Sequence, residues 1–560
     1  MDKIIIYQIF TRLFGNSNLT RKENGTPAEN GTGKMSFFDA RTLKRIHQLG
    51  VTHIWYTGVI RHATKTDYSA YGVPHQHPAV VKGNAGSPYA ITDYYDIDPD
   101  LANNVDNRMK EFEALVNRTH KAGMKVIIDF VPNHVARQYK SVAKPTGIAD
   151  LGEEDDVNMG FSTGNNFYYC TGQPFSPSFN LNDGEDAPYK EYPAKATGND
   201  CFCNHPGIND WFETVKLNYG IDYCDAGGRS IHFDPVPDTW HKMLDILKFW
   251  ASKGIDGFRC DMAEMVPAEF WAWAIKRVKA SYPALIFIGE VYNPALYRTY
   301  IASGFDYLYD KVGMYDCVKG VIRHERPAAD ITGQWQAVDD INGHILYFLE
   351  NHDEQRIASD FFAGDGNKAV PALIANALMR TNPFMLYAGQ EFGERGMDKE
   401  GFSGRDGRTT IFDYWTVDSL YAGYVNRRKL TPEQKKLGAV YEKVLNIAMN
   451  EKAVSEGVFF DLMYANFNNP GFDTNRQYTF LRKAGKELLF VVVNFSDEEV
   501  RCEVNIPAHA FDYLGLRPVT TEATDMISGD KAMLTLAADC RTTVVVGANS
   551  GRVYKIGQDA

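Results

Sequence analysis

The chain contains no uninterrupted apolar run of about 18 residues, so it predicts no membrane-spanning helix. It has no Lys/Arg-rich run, and its net charge of −12 argues against a nucleic-acid partner. Cysteine is sparse. Eight in 560 residues are too few for a disulfide scaffold. Four of them, Cys170, Cys201, Cys203 and Cys224, fall close together, but Cys201-x-Cys203 is not the CxxC spacing of a zinc site, and loop thiols are the plainer reading. The opening residues MDKIIIYQIF lack a basic segment followed by an apolar core and a small-residue cleavage site. They read as a strand. The expected location is the cytoplasm, with export through a leader absent from this sequence as the alternative.

What is present is the composition of a soluble globular protein, 44% hydrophobic and 23% charged. At 560 residues, two or three domains are expected. Aromatics make up 13%, and such rings serve both as core and as faces on which sugars stack.

The most informative stretch is Gly254-Ile255-Asp256-Gly257-Phe258-Arg259-Cys260-Asp261. An apolar helical pattern (Trp240, Met243, Leu244, Leu247, Trp250) stops at Gly254. A short apolar run then ends in a carboxylate, with a guanidinium two residues earlier and so on the same face of the strand. A carboxylate held beside a fixed positive charge is suited to act as a nucleophile.

Before and after it, apolar runs alternate with helical patterns. Strands are expected at Ile4–Phe10, Val51–Tyr56, Lys125–Asp129, Ile255–Cys260, Leu285–Gly289, Phe305–Tyr309, Ile345–Leu349 and Phe384–Tyr387. Eight such units predict a (β/α)₈ TIM barrel. A doubly wound open sheet is the alternative, but no Gly-x-Gly-x-x-Gly follows the first strand. The stretch 135–235 is too long for a connection and reads as an inserted subdomain. Beyond 450, short β-like runs predict a C-terminal antiparallel β-sandwich. The expected organisation is thus a barrel over 1–134 and 236–450, an insertion over 135–235, and a sandwich over 451–560.

In a barrel, chemistry sits at the C-terminal ends of the strands. Here those ends read Asp129-Phe130-Val131-Pro132-Asn133-His134, Arg259-Cys260-Asp261, Ile288-Gly289-Glu290 and Glu350-Asn351-His352-Asp353. In this order and spacing they resemble the signatures of the α-amylase family of glycoside hydrolases: D-x-x-x-N-H, G-F-R-x-D, the strand-five Glu, and N-H-D. Residues Pro88 to Tyr94 and Thr381 to Glu391 resemble two further segments of that family. The resemblance covers roughly residues 1–430.

The resemblance implies a retaining hydrolase of α-1,4-glucosidic bonds in starch-derived glucans or malto-oligosaccharides. Asp261 is the implied nucleophile, Glu290 the acid/base with a raised pKa, and Asp353 the third catalytic carboxylate. Arg259 is implied to hold Asp261, His134 and His352 to donate to ring hydroxyls, and Tyr89 to stack under the sugar. Transfer or isomerisation (trehalose formation included) and α-1,6 cleavage on the same scaffold are the alternatives. A sugar-binding protein on an inactive barrel would be expected to lack Asp261 or Glu290, and both are present. Many family members bind calcium through the Asn before the first His, here Asn133. Their Lys and His residues after the nucleophile are replaced here by Met262-Ala263-Glu264-Met265, so no cofactor is expected to be required, and Asn133 is the candidate ligand were calcium to bind. Glu264 is either a contact to the sugar beyond the cleaved bond or a surface acid at a helix start. His75, His77, Trp211, Phe212 and Trp240 are candidates for an extended cleft or for core.

Overall fold

A computed structural model describes residues 3–558. Residues 1–2 and 559–560, at the outer limits of the expected units, lie outside it. Eight strands close into a barrel: β1 Ile5–Phe10, β2 His53–Thr57, β3 Lys125–Phe130, β4 Gly257–Cys260, β5 Ile286–Gly289, β6 Tyr307–Tyr309, β7 Ile345–Phe348 and β8 Phe384–Tyr387. Each pairs in parallel with the next, and β1 closes on β8 from Ile5 opposite Phe384 to Gln8 opposite Tyr387. Closure excludes the open doubly wound sheet.

The strands are apolar on both faces because both faces are covered. Ile6, Trp55, Ile127, Ile288, Leu346, Phe348 and Met385 fill the barrel interior. Their neighbours Ile5, Tyr7, Ile54, Ile128, Phe258, Phe287 and Phe384 belong to the larger core beneath the helices. The crossovers include α1 Ala40–Gln48, α2 Arg108–Lys121, α3 Asp238–Ser252 and α4 Ala268–Ser281. The sixth strand begins two residues later than its apolar run suggests. Gly304, at φ +112, turns the chain there, and Phe305 packs its ring on Trp271 instead of joining the sheet.

Between β3 and α3 the chain is irregular. Its regular structure is limited to short antiparallel ladders, of which His134–Ala136 with Thr214–Lys216 fastens the segment to the end of β3. After the barrel, strands Val458–Asp461, Gln477–Ala484, Glu487–Asn494 and Ser550–Gly557 form a four-stranded antiparallel sheet, beside two antiparallel pairs. Among these, Val519–Thr524 gave little apolar signal, since three of its six side chains are exposed and one is buried. No helix of the described residues is long and apolar enough to cross a membrane.

One side chain pins the sheet to the barrel. Arg482 is buried and donates to the carbonyls of Ala453, Met379 and Val454. Burial pushes its guanidinium down to about 9. Arg482→Ala would leave the Ala453 and Met379 carbonyls without that donor, while Val454 keeps the Thr381 hydroxyl, a loss of about 3 kcal/mol. A thermal scan should show the unfolding midpoint several degrees lower, and an unchanged midpoint would remove the anchor from the account.

Candidate active site

The strand ends converge on a cavity of about 500 Å³ lined by Tyr89, His134, Asp261, Glu290 and Asp353. At its floor lies Arg259, 1% exposed. One nitrogen, Nη1, donates to Asp261 Oδ1 at 2.7 Å, and the other, Nη2, pairs with Glu290 Oε2 at 2.8 Å. Asp129 Oδ1 stands 3.6 Å from Nη1. The two end nitrogens of a guanidinium are about 2.3 Å apart, which caps the separation of these two carboxylate oxygens at about 8 Å. The guanidinium itself lies over the rings of Trp55, Tyr89 and Tyr309.

Local backbone explains the aim of these groups. Arg259 and Asp261 are two apart at the end of β4, hence on one face. Met262 then takes a left-handed conformation, φ 44, rare for a residue with a side chain, and its N–H donates to Glu290 Oε2 at 2.8 Å. Glu290 Oε1 accepts from the Tyr292 hydroxyl at 2.6 Å. Glu264 Oε2 accepts the N–H groups of Tyr292 and Asn293, both at 3.0 Å, so it shapes the loop after β5 rather than reaching for a sugar.

Crowding sets the protonation. Burial drives Asp261 well above the usual carboxylate range; Arg259 opposes that push, and Glu290 adds to it. Asp353 is pushed up to about 7 by burial and then by Glu290. Asp129 is pushed up to about 6 by burial. Asp261 and Glu290 share one guanidinium, Asp261 on Nη1 and Glu290 on Nη2.

The histidines part company. His134 lines the cavity, beside the Trp211 ring at 5.3 Å. Burial, then the Lys216 charge, lowers it to about 3, so it is neutral. His352 does not line the cavity. It sits behind Tyr89, stacked on that ring at 5.3 Å and hydrogen-bonded to its hydroxyl, 3.2 Å from Asp353 Oδ2. Gln8 Nε2 meets its other ring nitrogen at 2.8 Å. His352 therefore positions Tyr89 and Asp353. Glu350, at the same strand end, is taken up by Arg356 and the Ile357 N–H.

Of the aromatic and histidine candidates for a cleft, Trp211 lines the cavity. Trp240 is core, Phe212 packs on Phe179, His75 pairs with Glu185 and His77 bonds the Ala187 carbonyl. Lys82, Glu213, Tyr292, Phe402 and Phe412 also line it and were not anticipated. Tyr292 could have been: it is two residues beyond Glu290, the spacing that puts side chains on one side. The others come from long connections without periodicity.

Asn133 does not fit a calcium ion. Its Oδ1 accepts from the Lys216 ammonium, which also pairs with Asp200 Oδ1 at 2.7 Å. A second cation there would meet the ammonium's charge. The clustered thiols hold no metal site either. Cys201 Sγ and Cys203 Sγ lie 3.3 Å apart, and no group of three or more His, Cys, Asp or Glu among the described residues is placed to hold an ion.

The alpha amylase catalytic domain model matches residues 8–182 and 235–432. An α-amylase 3 from Dictyoglomus thermophilum is 24% identical over 393 residues, 66% of this chain and 68% of that protein. A neopullulanase 2 from Thermoactinomyces vulgaris is 22% identical over 413 residues, 70% of this chain and 57% of that protein. Among solved structures, a cyclic α-maltosyl-(1→6)-maltose hydrolase from Arthrobacter globiformis superposes with a TM-score of 0.63 at 16% identity, covering 99% of this chain and 98% of that one.

The raised Asp353 makes stability depend on pH in a definite sense. A carboxyl whose folded pKa lies above its unfolded value binds its proton more tightly when folded, so it favours the fold at low pH. That contribution is lost as pH rises from 3.8 to about 7. Asp353→Asn should therefore unfold at a higher temperature than the wild type at pH 8, with the gap closing by pH 4. A variant less stable than wild type at pH 8 would contradict the assignment.

Proposed function

Since the chain belongs to the α-amylase family of glycoside hydrolases, we propose that it cleaves α-1,4-glucosidic bonds of malto-oligosaccharides or starch-derived glucans by double displacement. The observation that carries this reading is the fork at Arg259, which holds Asp261 and Glu290 on its two nitrogens at one cavity, with Asp353 on the same wall.

A sugar ring resting on Tyr89 presents its anomeric carbon to Asp261. Asp261 Oδ attacks as the glycosidic bond breaks, and the leaving oxygen takes the proton from Glu290. General-acid catalysis requires Glu290 to carry the proton at that moment, and Arg259 Nη1 favours the ionised Asp261. Water then attacks the glycosyl ester, gives its proton to Glu290, and frees Asp261. Asp353 and the neutral His134 bind ring hydroxyls, contacts that discriminate strongly between sugars. Asn133 being occupied by Lys216, calcium has no step in this scheme.

A second reading, α-1,6 cleavage or sugar transfer by the same carboxyls, draws on the likeness to the cyclic α-maltosyl-(1→6)-maltose hydrolase and, over 120 residues at 31% identity, to an α-1,4-glucan:maltose-1-phosphate maltosyltransferase from Rhodospirillum rubrum. Products separate the two. Maltose and glucose from maltotriose support hydrolysis, whereas longer oligosaccharides or cleavage of panose at its α-1,6 bond support the second.

Asp261→Asn should lower hydrolysis of an aryl α-maltoside by about four orders of magnitude with the fold intact by circular dichroism. Turnover within tenfold of wild type would rule out the double displacement.

A further inference from the structure

Lys216 stands directly opposite His134 in the short ladder that fastens the insertion to the barrel. Its side chain is 3% exposed. An ammonium donates and never accepts. Contact with Lys216 therefore requires that the Asn133 side chain present its oxygen, Oδ1, to that ammonium. The amide nitrogen must then point the other way. There it donates to the Gly198 carbonyl at 2.8 Å and meets His134 Nδ1 at 3.1 Å. An amide nitrogen is a donor only, so Nδ1 must accept, and the ring proton lies on Nε2. Asp200 closes the cluster, ion-paired with Lys216 at 2.7 Å from the loop that carries Gly198.

We propose that Lys216 is a positioning residue that supplies an internal cation at the barrel–insertion junction, and that its ammonium, acting through Asn133, sets the ring orientation and tautomer of His134. A fixed charge carried by the chain then does what a bound metal ion could do there, drawing Asn133 and Asp200 from separate segments onto one centre. The proposal rests on the reading of the cavity as the glucan site. Failure of that reading would appear as a wild type without turnover, whereas failure of this proposal would appear in Lys216 variants of an active enzyme and in their melting temperatures.

The test uses the full chain and two substitutions. Lys216→Met keeps the apolar stem and removes the charge. Lys216→Ala also opens a cavity beside Asn133 and Asp200. Both should lower kcat/KM for an aryl α-maltoside about tenfold, chiefly through KM. Ethylammonium chloride should restore Lys216→Ala several-fold in activity and raise its melting temperature, and should leave Lys216→Met unchanged because the stem fills the space. Wild-type melting temperature should be the same in EDTA and in millimolar calcium. A wild type that loses stability in EDTA, a Lys216→Met enzyme with wild-type KM, or a Lys216→Ala enzyme that ethylammonium restores in neither activity nor melting temperature would each overturn the proposal. Should Lys216→Ala fail to fold, the KM of Lys216→Met decides.

Discussion

One guanidinium serves three carboxyl groups at the mouth of this barrel, and the behaviour of the site follows from that shortage of positive charge. Arg259 lies within 2.7 Å of Asp261, 2.8 Å of Glu290 and 3.6 Å of Asp129, buried over aromatic rings. Burying four charges is expensive unless each finds an opposite partner, and here negative groups outnumber the positive one. The surplus is met by retained protons. Asp261, Asp129 and Asp353 are all driven upward, with burial as the first cause in each. The left-handed backbone at Met262 adds strain at the same place. Strain and crowding that would be faults in a core are, at this position, the conditions under which a carboxyl can keep a proton to give away.

Much of the architecture was legible in the chain because barrel strands leave a strong mark. Runs such as Ile5–Phe10 and Ile345–Phe348 are apolar on both faces, and the polar residues that end them stand out against that background. The convergence of Asp261, Glu290, Asp353, Arg259 and His134 could be read for that reason. What resisted reading lies in the connections. Lys82, Glu213, Phe402 and Phe412 reach the cavity from segments whose course is decided by tertiary packing, with no period to betray it. His352 was assigned to the sugar because its place in the N-H-D motif says nothing of which side of Tyr89 it occupies. The competition between Asn133's two possible partners was equally hidden, since Lys216 is 83 residues away in the chain and adjacent only after the insertion folds back.

The division of labour between strands and loops follows. Strand ends provide groups whose spacing cannot drift, because the ladder from β3 through β5 fixes their height. Loops provide the shape of the wall and the company those groups keep. Tyr292 bonded to Glu290, and Glu264 capping the loop that carries Tyr292, show how a connection can be stiffened by one carboxylate.

The Arg482 anchor bears on modularity. Because its guanidinium completes the backbone of Met379 in the barrel and of Ala453 and Val454 just past it, the sheet is a structural lid on the barrel's last turn and not an appendage hung from a tether. A shortened chain ending near residue 450 would leave the Met379 carbonyl without that donor, together with apolar surface that now faces the sheet. Barrel and sheet therefore complete one another's backbone, and neither surface is finished without the other.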